Sequence, residues 1–109
     1  MDARELSDLI AQLDRSGKLY HEFLRGPSMS AGLYRLRTGA IDPQTPHTED
    51  ELYYVISGRG SIWVGAEDRS VRAGSSVFVP ATIEHRFHSI EEDLIVLVFF
   101  APAEYSLTS

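Results

Sequence analysis

The chain has 109 residues, no cysteine and a formal net charge of −6 at pH 7. The length suits one domain with a single core, and the lack of cysteine excludes disulfides and zinc–thiolate sites. The acidic balance, with Lys and Arg spread singly from Arg4 to Arg86, argues against binding to nucleic acid or to an anionic membrane. The polar, acidic start and the absence of a long apolar run predict a cytoplasmic protein.

The first predicted element is an amphipathic helix over residues 3–15. Four apolar residues have the spacing of one helical face: Leu6, Leu9, Ile10 and Leu13. Asp2 is the expected N-cap, with Glu5 at the capping-box position. Ser16-Gly17 is the expected end of the helix. We expect this segment, residues 1–17, to pack on the outside of the domain that follows.

The remaining residues, 18–109, are predicted to form a single β-barrel domain. Short apolar or alternating runs are separated by turn residues about every eight to twelve positions. The predicted strands lie near residues 19–25, 30–37, 51–57, 61–64, 69–72, 76–79, 84–89 and 93–100. Gly58-Arg59-Gly60 predicts a tight hairpin, and Glu91-Glu92-Asp93 an acidic turn. No helical pattern separates the strands, so a sandwich or barrel is favoured over parallel βαβ units.

His47 and Glu51 are the first two candidate metal ligands. Alternation along a strand places both on the face that carries Tyr53 and Val55, which belong in a core. A carboxylate that points into an apolar interior is costly unless a cation compensates its charge. A bound metal ion would supply that charge; an arginine distant in sequence, such as Arg35 or Arg37, is the alternative.

His85 is the third candidate ligand, on a different strand. It follows the Pro80 turn and alternates with Phe87, so it is expected to point inward too, although a rim position bonded to a backbone carbonyl is the alternative. Two imidazoles and one carboxylate suit one divalent transition metal such as Fe, Mn, Ni or Zn. Protons compete for the imidazoles, so metal affinity is expected to fall below about pH 6.5.

Two segments resemble the paired motifs of the cupin superfamily. Residues 39–58, GAIDPQTPHTEDELYYVISG, resemble the first motif, G-x5-H-x-H-x3-E-x6-G, and residues 74–85, GSSVFVPATIEH, resemble the second, G-x5-P-x-G-x2-H. The resemblance covers roughly residues 19–102. It implies an all-β double-stranded β-helix, or jelly-roll barrel, of the small single-domain cupin type. It also implies that His47, Glu51 and His85 are metal ligands.

The sequence departs from these motifs at two positions. Thr45 stands where the first motif has its first histidine. The site is therefore expected to have three strong protein ligands, with Thr45 as a weak fourth or with that position left to water or substrate. Thr82 replaces a motif glycine, so the turn before His85 is expected to differ.

Other polar residues near the motif are weaker candidates. Tyr53 and Glu49 are possible catalytic groups by position only, and Tyr53 is equally well read as a core aromatic. Gln44 could place an amide next to the metal. Glu49 and Asp50 are expected to be solvated acids that precede a buried Glu51.

The resemblance implies a protein that binds or transforms a small polar molecule at the metal. As an enzyme it would be a dioxygenase, isomerase or decarboxylase; the alternatives are a non-catalytic ligand-binding or sensor barrel and a barrel with a decayed metal site. The sequence also predicts a homodimer, because an apolar edge strand would be left open. Its apolar residues are Leu19, Tyr20, Phe23 and Leu24.

Overall fold

A computed structural model describes residues 1–107 as an antiparallel β-structure with one N-terminal helix. The elements in chain order are α1 (Leu6–Ser16), β1 (Tyr20–Arg25), β2 (Ser30–Leu36), β3 (Asp50–Val64), β4 (Glu67–Arg72), β5 (Ser76–Val79) and β6 (His85–Ala101). The strands pair in the order β1-β2-β6-β3-β4, and β5 pairs with β3. The predicted all-β jelly-roll barrel with a short N-terminal helix is confirmed.

Two long strands replace four of the predicted short ones. β3 and β6 pair with each other along their whole lengths, as a ladder that passes through both halves of the barrel. Register shifts between Val55 and Ser61 interrupt this ladder in its middle, as β-bulges do where a strand bends. The predicted hairpin at Gly58-Arg59-Gly60 and the predicted acidic turn at residues 91–93 are therefore wrong, because both segments continue within strands.

Gly58 explains why the hairpin prediction failed. Its φ is +88°, and a Cβ at this position would lie 2.1 Å from the carbonyl oxygen of Asp93 on β6. The glycine therefore allows two paired backbones to approach closely at a bulge, which is another common use of glycine within a strand. Sequence alone does not separate this use from a tight turn.

The sheet is apolar on both faces. Inward-facing residues of β2, β3 and β6 form the main core, which includes Tyr53, Val55, Leu94, Val96 and Val98. The alternate positions of β6, Ile95 and Leu97, face outward and pack with Leu9, Leu13 and Leu33 under α1. The helix thus covers an outer apolar face that the barrel interior cannot accommodate.

The helix is shorter than predicted at its beginning. It begins at Leu6, with Glu5 in an extended conformation as the N-cap residue. The carbonyl of Glu5 accepts from the N–H groups of Asp8 and Leu9, whereas Asp2 forms a 2.9 Å ion pair with Arg4. Asp2 as the N-cap is therefore wrong, while the end at Gly17, with φ of +67°, is confirmed. Among residues 1–107, no helix is long and apolar enough to cross a membrane.

Candidate metal centre

The structure brings His47, Glu51 and His85 to one place inside the barrel. His47 lies in the loop before β3, Glu51 is the second residue of β3, and His85 is the first residue of β6. One ligand atom from each lies within 4.8 Å of the others. All three side chains are buried, and Glu51 is only 1% exposed. Two strands and one loop therefore deliver two imidazoles and a carboxylate to a common point.

The polar atoms that face this point have no hydrogen-bond partner among the described residues. They are Nδ1 of His47, Nε2 of His85 and both carboxylate oxygens of Glu51. The closest approaches are 3.1 Å from His85 Nε2 to Glu51 Oε1 and 3.5 Å from His47 Nδ1 to the same oxygen. Buried polar atoms without partners are rare and destabilising. A cation bound between them would pair all four.

The cationic alternatives raised by the sequence lie elsewhere. Arg35 forms an ion pair with Asp14 of the helix, and Arg37 forms one with Asp93. Neither guanidinium is therefore the partner of Glu51. The donor set of two neutral nitrogens and one carboxylate is the kind that first-row transition metals accept in proteins, so the residues present fit such an ion.

The second nitrogen of each histidine has its own partner. His85 Nδ1 lies 3.0 Å from the carbonyl oxygen of Ile83, and His47 Nε2 lies 2.9 Å from a carboxylate oxygen of Glu104. A carbonyl and a carboxylate can only accept, so each of these nitrogens carries the proton and donates. In the neutral form of each ring, the opposite nitrogen carries the lone pair that a metal ion would accept, and this nitrogen lies on the side of Glu51. Such outer partners fix the tautomer of metal-binding histidines.

The environment of His85 shifts its protonation. Burial acts to lower the pKa of His85, but the nearby Glu51 carboxylate and the Ile83 carbonyl raise it, and the pKa lies above 6.5 on balance. The carboxylate thus favours a positive charge at this position. Without a metal, a proton on His85 can supply part of the positive charge that compensates the Glu51 carboxylate.

Thr45 and Thr82, the two departures from the motifs, have different consequences. Thr45 is exposed and lines a cavity beside His47 and Glu51. Thr82 has a φ of +69°, so it keeps the left-handed conformation that a glycine adopts easily. Its N–H donates to the carbonyl of His47 at 2.7 Å. The turn before His85 therefore holds the backbone of His47.

Tyr53 and Glu49, the two weaker catalytic candidates, are both engaged. Tyr53 is fully buried, and its hydroxyl donates to Gln44 Oε1 at 3.0 Å. Burial raises the pKa of Tyr53 above its ordinary value, so this hydroxyl stays protonated. Glu49 is 1% exposed, so its expected solvation is wrong. Its two oxygens accept from the N–H groups of Tyr105 and Leu107 at 2.8 and 3.1 Å.

Sequence reasoning missed Asp42 and Glu104. Asp42, fully buried in the loop before β3, accepts from the hydroxyl of Tyr34 at 2.6 Å and from the N–H of Phe87 at 3.0 Å. It thereby ties this loop to two strands. Glu104 lies beyond the last strand and reaches His47. Asp42 has the sequence signal of an acid beside Pro43 in a loop, whereas Glu104 has no signal in the sequence.

A cavity of about 350 Å³ opens beside the cluster. His47 and Glu51 contribute to its wall, together with residues of β1, β2, β6, the loop before β3 and the C-terminal segment. The volume falls at the lower end of the range for small-molecule sites. A bound molecule would therefore lie within reach of the candidate ligands.

The jelly-roll barrel and its buried His/Glu/His group place the chain among small β-barrel proteins whose interior is suited to a metal ion. A family model for the cupin domain matches residues 32–100, so the chain belongs to the cupin family. It is 49% identical over 104 residues to the uncharacterized protein SCO3923 of Streptomyces coelicolor. The alignment covers 95% of this chain and 99% of that protein.

Solved structures share the fold at low sequence identity. TT1209 from Thermus thermophilus aligns with a TM-score of 0.73 and 22% identity, covering 94% of this chain and 99% of that one. BH2720 from Bacillus halodurans aligns with a TM-score of 0.76 and 16% identity, covering 93% and 80%. These similarities support the barrel architecture and say nothing of the ligand.

Proposed function

We propose that the chain binds one divalent transition-metal ion through His47, Glu51 and His85, and that it uses this centre to bind or transform a small polar molecule in the adjacent cavity. The observation that carries the proposal is Glu51. This carboxylate is 1% exposed, its nearest ion-pair contacts are ring nitrogens of His85 and His47, and no arginine or lysine among the described residues is paired to it, so it requires a positive partner. One nitrogen of each imidazole lies within 4.8 Å of this carboxylate.

Each residue has a defined task in this proposal. Glu104 and Ile83 accept from the outer nitrogens of His47 and His85, which keeps the inner nitrogens deprotonated for a metal. A bound ion would supply Lewis acidity to a coordinated molecule. Thr45 at the cavity lining leaves room for that molecule where the motif has a further histidine.

The test of metal binding is elemental analysis of protein purified without an affinity tag. We expect about one metal ion per chain, as for a mononuclear site, and loss of the metal in His47→Ala. His88→Ala is the matched control, because His88 is bonded to Asp68 at 2.9 Å and lies outside the cluster. Metal retained in His47→Ala, or lost equally in both variants, would contradict the proposal and favour a decayed site.

We also propose that the chain forms a homodimer, through a different face from the one the sequence suggested. Tyr20 of β1 lines the internal cavity and Phe23 packs under α1, so part of the apolar surface of that edge is used within the chain. Leu52, Tyr54 and Phe78 are instead exposed on the outer face of β3 and β5. Light scattering that gives a 12.2 kDa particle at micromolar concentration would contradict a dimer.

The cytoplasmic location and the absence of nucleic-acid binding stay predictions.

A further inference from the structure

The cavity beside the candidate metal centre is negatively charged. Among residues 1–107, the only charged side chains other than histidine in its lining are Glu51 and Glu104, and no lysine or arginine contributes to it. Leu19, Val98 and Phe100 supply apolar wall. A divalent ion at the centre would balance the two carboxylates, which leaves the cavity near neutral with one acid still facing the ligand space.

The nearby arginines do not supply a positive charge to this space. Arg25 approaches the C-terminal segment, but its guanidinium donates to the backbone carbonyl of Glu104 at 2.8 Å and to Glu22 at 2.9 Å. It is about half exposed and does not line the cavity. An anionic group placed in the cavity away from the metal would therefore face Glu104 without a compensating cation, in a partly desolvated site where like charges repel strongly.

Tyr20 offers the cavity a hydrogen-bond donor. Its hydroxyl is buried and has no partner among the described residues, although the residue lines the cavity. The ring lies against Gly32, where a Cβ would come within 2.1 Å of the ring carbon that bears the hydroxyl. Gly32 thus makes the space that lets the ring turn into the barrel. Burial raises the pKa of Tyr20 above its ordinary value, so the hydroxyl remains a neutral donor.

We propose, building on the metal site proposed above, that the cavity selects compact chelating molecules with a single anionic group. Such a molecule, for example an α-hydroxy carboxylate with an apolar remainder, would place its carboxylate and hydroxyl on the metal and its apolar part against Val98 and Phe100. Tyr20 donates to the chelating group, and Glu104 excludes molecules with a second anionic group. Rejection through an unpaired like charge is a common source of specificity.

The test compares two molecules that share a chelating group. α-Hydroxyisocaproate and malate are both α-hydroxy carboxylates, and they differ in a distal isopropyl group that malate replaces with a carboxylate. Calorimetric titration first establishes that the metal-free protein binds Zn(II), and then measures both acids on the Zn(II)-loaded protein. We expect α-hydroxyisocaproate to bind at least about tenfold more tightly than malate.

Glu104→Gln tests the residue that we hold responsible. Glutamine keeps an oxygen that can accept from His47 but removes the charge, so the affinity gap between the two acids should narrow severalfold. Glu67→Gln is the matched control, because Glu67 is exposed on β4 and outside the cavity lining. Tyr20→Phe should weaken the binding of α-hydroxyisocaproate without changing the affinity for Zn(II).

The outcomes separate this inference from the proposal on which it rests. Failure of the wild-type protein to bind Zn(II) or any other divalent transition metal would overturn both. Zn(II) binding with equal or tighter binding of malate would overturn the selectivity alone, whatever the variants do. If the affinity difference between the two acids is unchanged in Glu104→Gln, or is reduced as much in Glu67→Gln, Glu104 is not the residue that causes the selectivity.

Discussion

Asp42 and Glu51 are buried carboxylates of the same barrel that differ in how their oxygens are paired. Asp42 accepts from the hydroxyl of Tyr34, from the backbone and side chain of Gln44, and from the N–H of Phe87. Glu51 has no comparable set of donors among the described residues, and its nearest ion-pair contacts are the ring nitrogens of His85 and His47, at 3.1 and 3.5 Å. The chain itself pairs the oxygens of the Asp42 carboxylate, whereas the Glu51 carboxylate needs an added positive charge.

The difference shows that the unpaired state of Glu51 is not forced by the fold. The same barrel supplies four hydrogen bonds to Asp42, so burying a carboxylate in it does not require leaving the group unpaired. Places where a chain departs from full pairing of buried polar groups are where a function is expected. The two carboxylates should therefore respond in opposite ways to the loss of charge.

The largest expected effect is on stability, at Asp42. Asp42→Ala would leave the Tyr34 hydroxyl and the Phe87 N–H buried without an acceptor, at a cost of about 1–3 kcal/mol each. We expect the free energy of unfolding to fall by about 3 kcal/mol, measured by urea denaturation of metal-free protein. A loss below about 1 kcal/mol would mean that the pairing of Asp42 matters little to the fold.

The next effect is on metal affinity, at Glu104. Glu104→Ala removes the acceptor for His47 Nε2, which frees the ring to turn and to change tautomer. Loss of such an outer partner typically weakens metal binding by about 10- to 100-fold. Titration with Zn(II) should show this loss, and Glu104→Gln should restore most of the affinity. Equal losses in both variants would count against a positioning role.

Glu51 should give a smaller effect on stability, of the opposite sign to Asp42. At a pH at which His85 is neutral, Glu51→Gln removes a buried charge that has no cationic partner, so the metal-free variant should be as stable as the parent or more stable by about 1 kcal/mol. The same variant should fail to retain metal in elemental analysis. If it proves less stable by more than about 1 kcal/mol without metal, Glu51 is a structural residue and the contrast with Asp42 disappears.

The smallest effect concerns pH, at Glu49. Burial acts to raise the pKa of Glu49, but hydrogen bonds from Thr48, Tyr105 and Leu107 outweigh it, so the pKa lies below 4.5. A carboxyl group whose pKa is lower in the folded than in the unfolded state stabilises the protein above its unfolded pKa and loses this contribution as the pH falls.

Glu49→Gln should therefore destabilise the protein at pH 7, and the difference from wild type should shrink as the pH falls below about 4.5. Denaturation at a series of pH values measures this difference. A difference that is independent of pH would show that the ionised form has no special role.

The sequence was sufficient wherever strand alternation decided the outcome. Alternation with Tyr53 and with Phe87 predicted that Glu51 and His85 point inward, and the structure brings both side chains together inside the barrel. The same alternation assigns Glu49 to the face of His47 and Glu51, but a run of acids near a loop is also typical of solvated side chains, which is the wrong prediction here. The N–H groups that make its burial tolerable come from residues 105 and 107, which no local pattern reveals.

Long-range contacts set the limit of what the sequence predicted. Glu104, beyond the last strand, contacts His47 before β3, and Gly58 contacts the backbone of Asp93 on another strand. Both depend on how β3 and β6 pair, and the register of that pairing is not written in either segment alone. The hairpin and the acidic turn failed for this reason, while the short strand β5 was predicted with its observed bounds, residues 76–79.

The long ladder between β3 and β6 also indicates an order of folding. Its inner end joins Val64 to His85, and its outer end joins Asp50 to Ala101. Closing the shorter loop costs less conformational entropy, so we expect the ladder to grow from His85 outward and to bring Glu51 in near the end. His47 and Glu104 lie beyond the outermost pair. The cluster would thus contain His85, from the part of the barrel that forms first, and His47, from the part that forms last. Its three side chains would come together only once the whole ladder has formed.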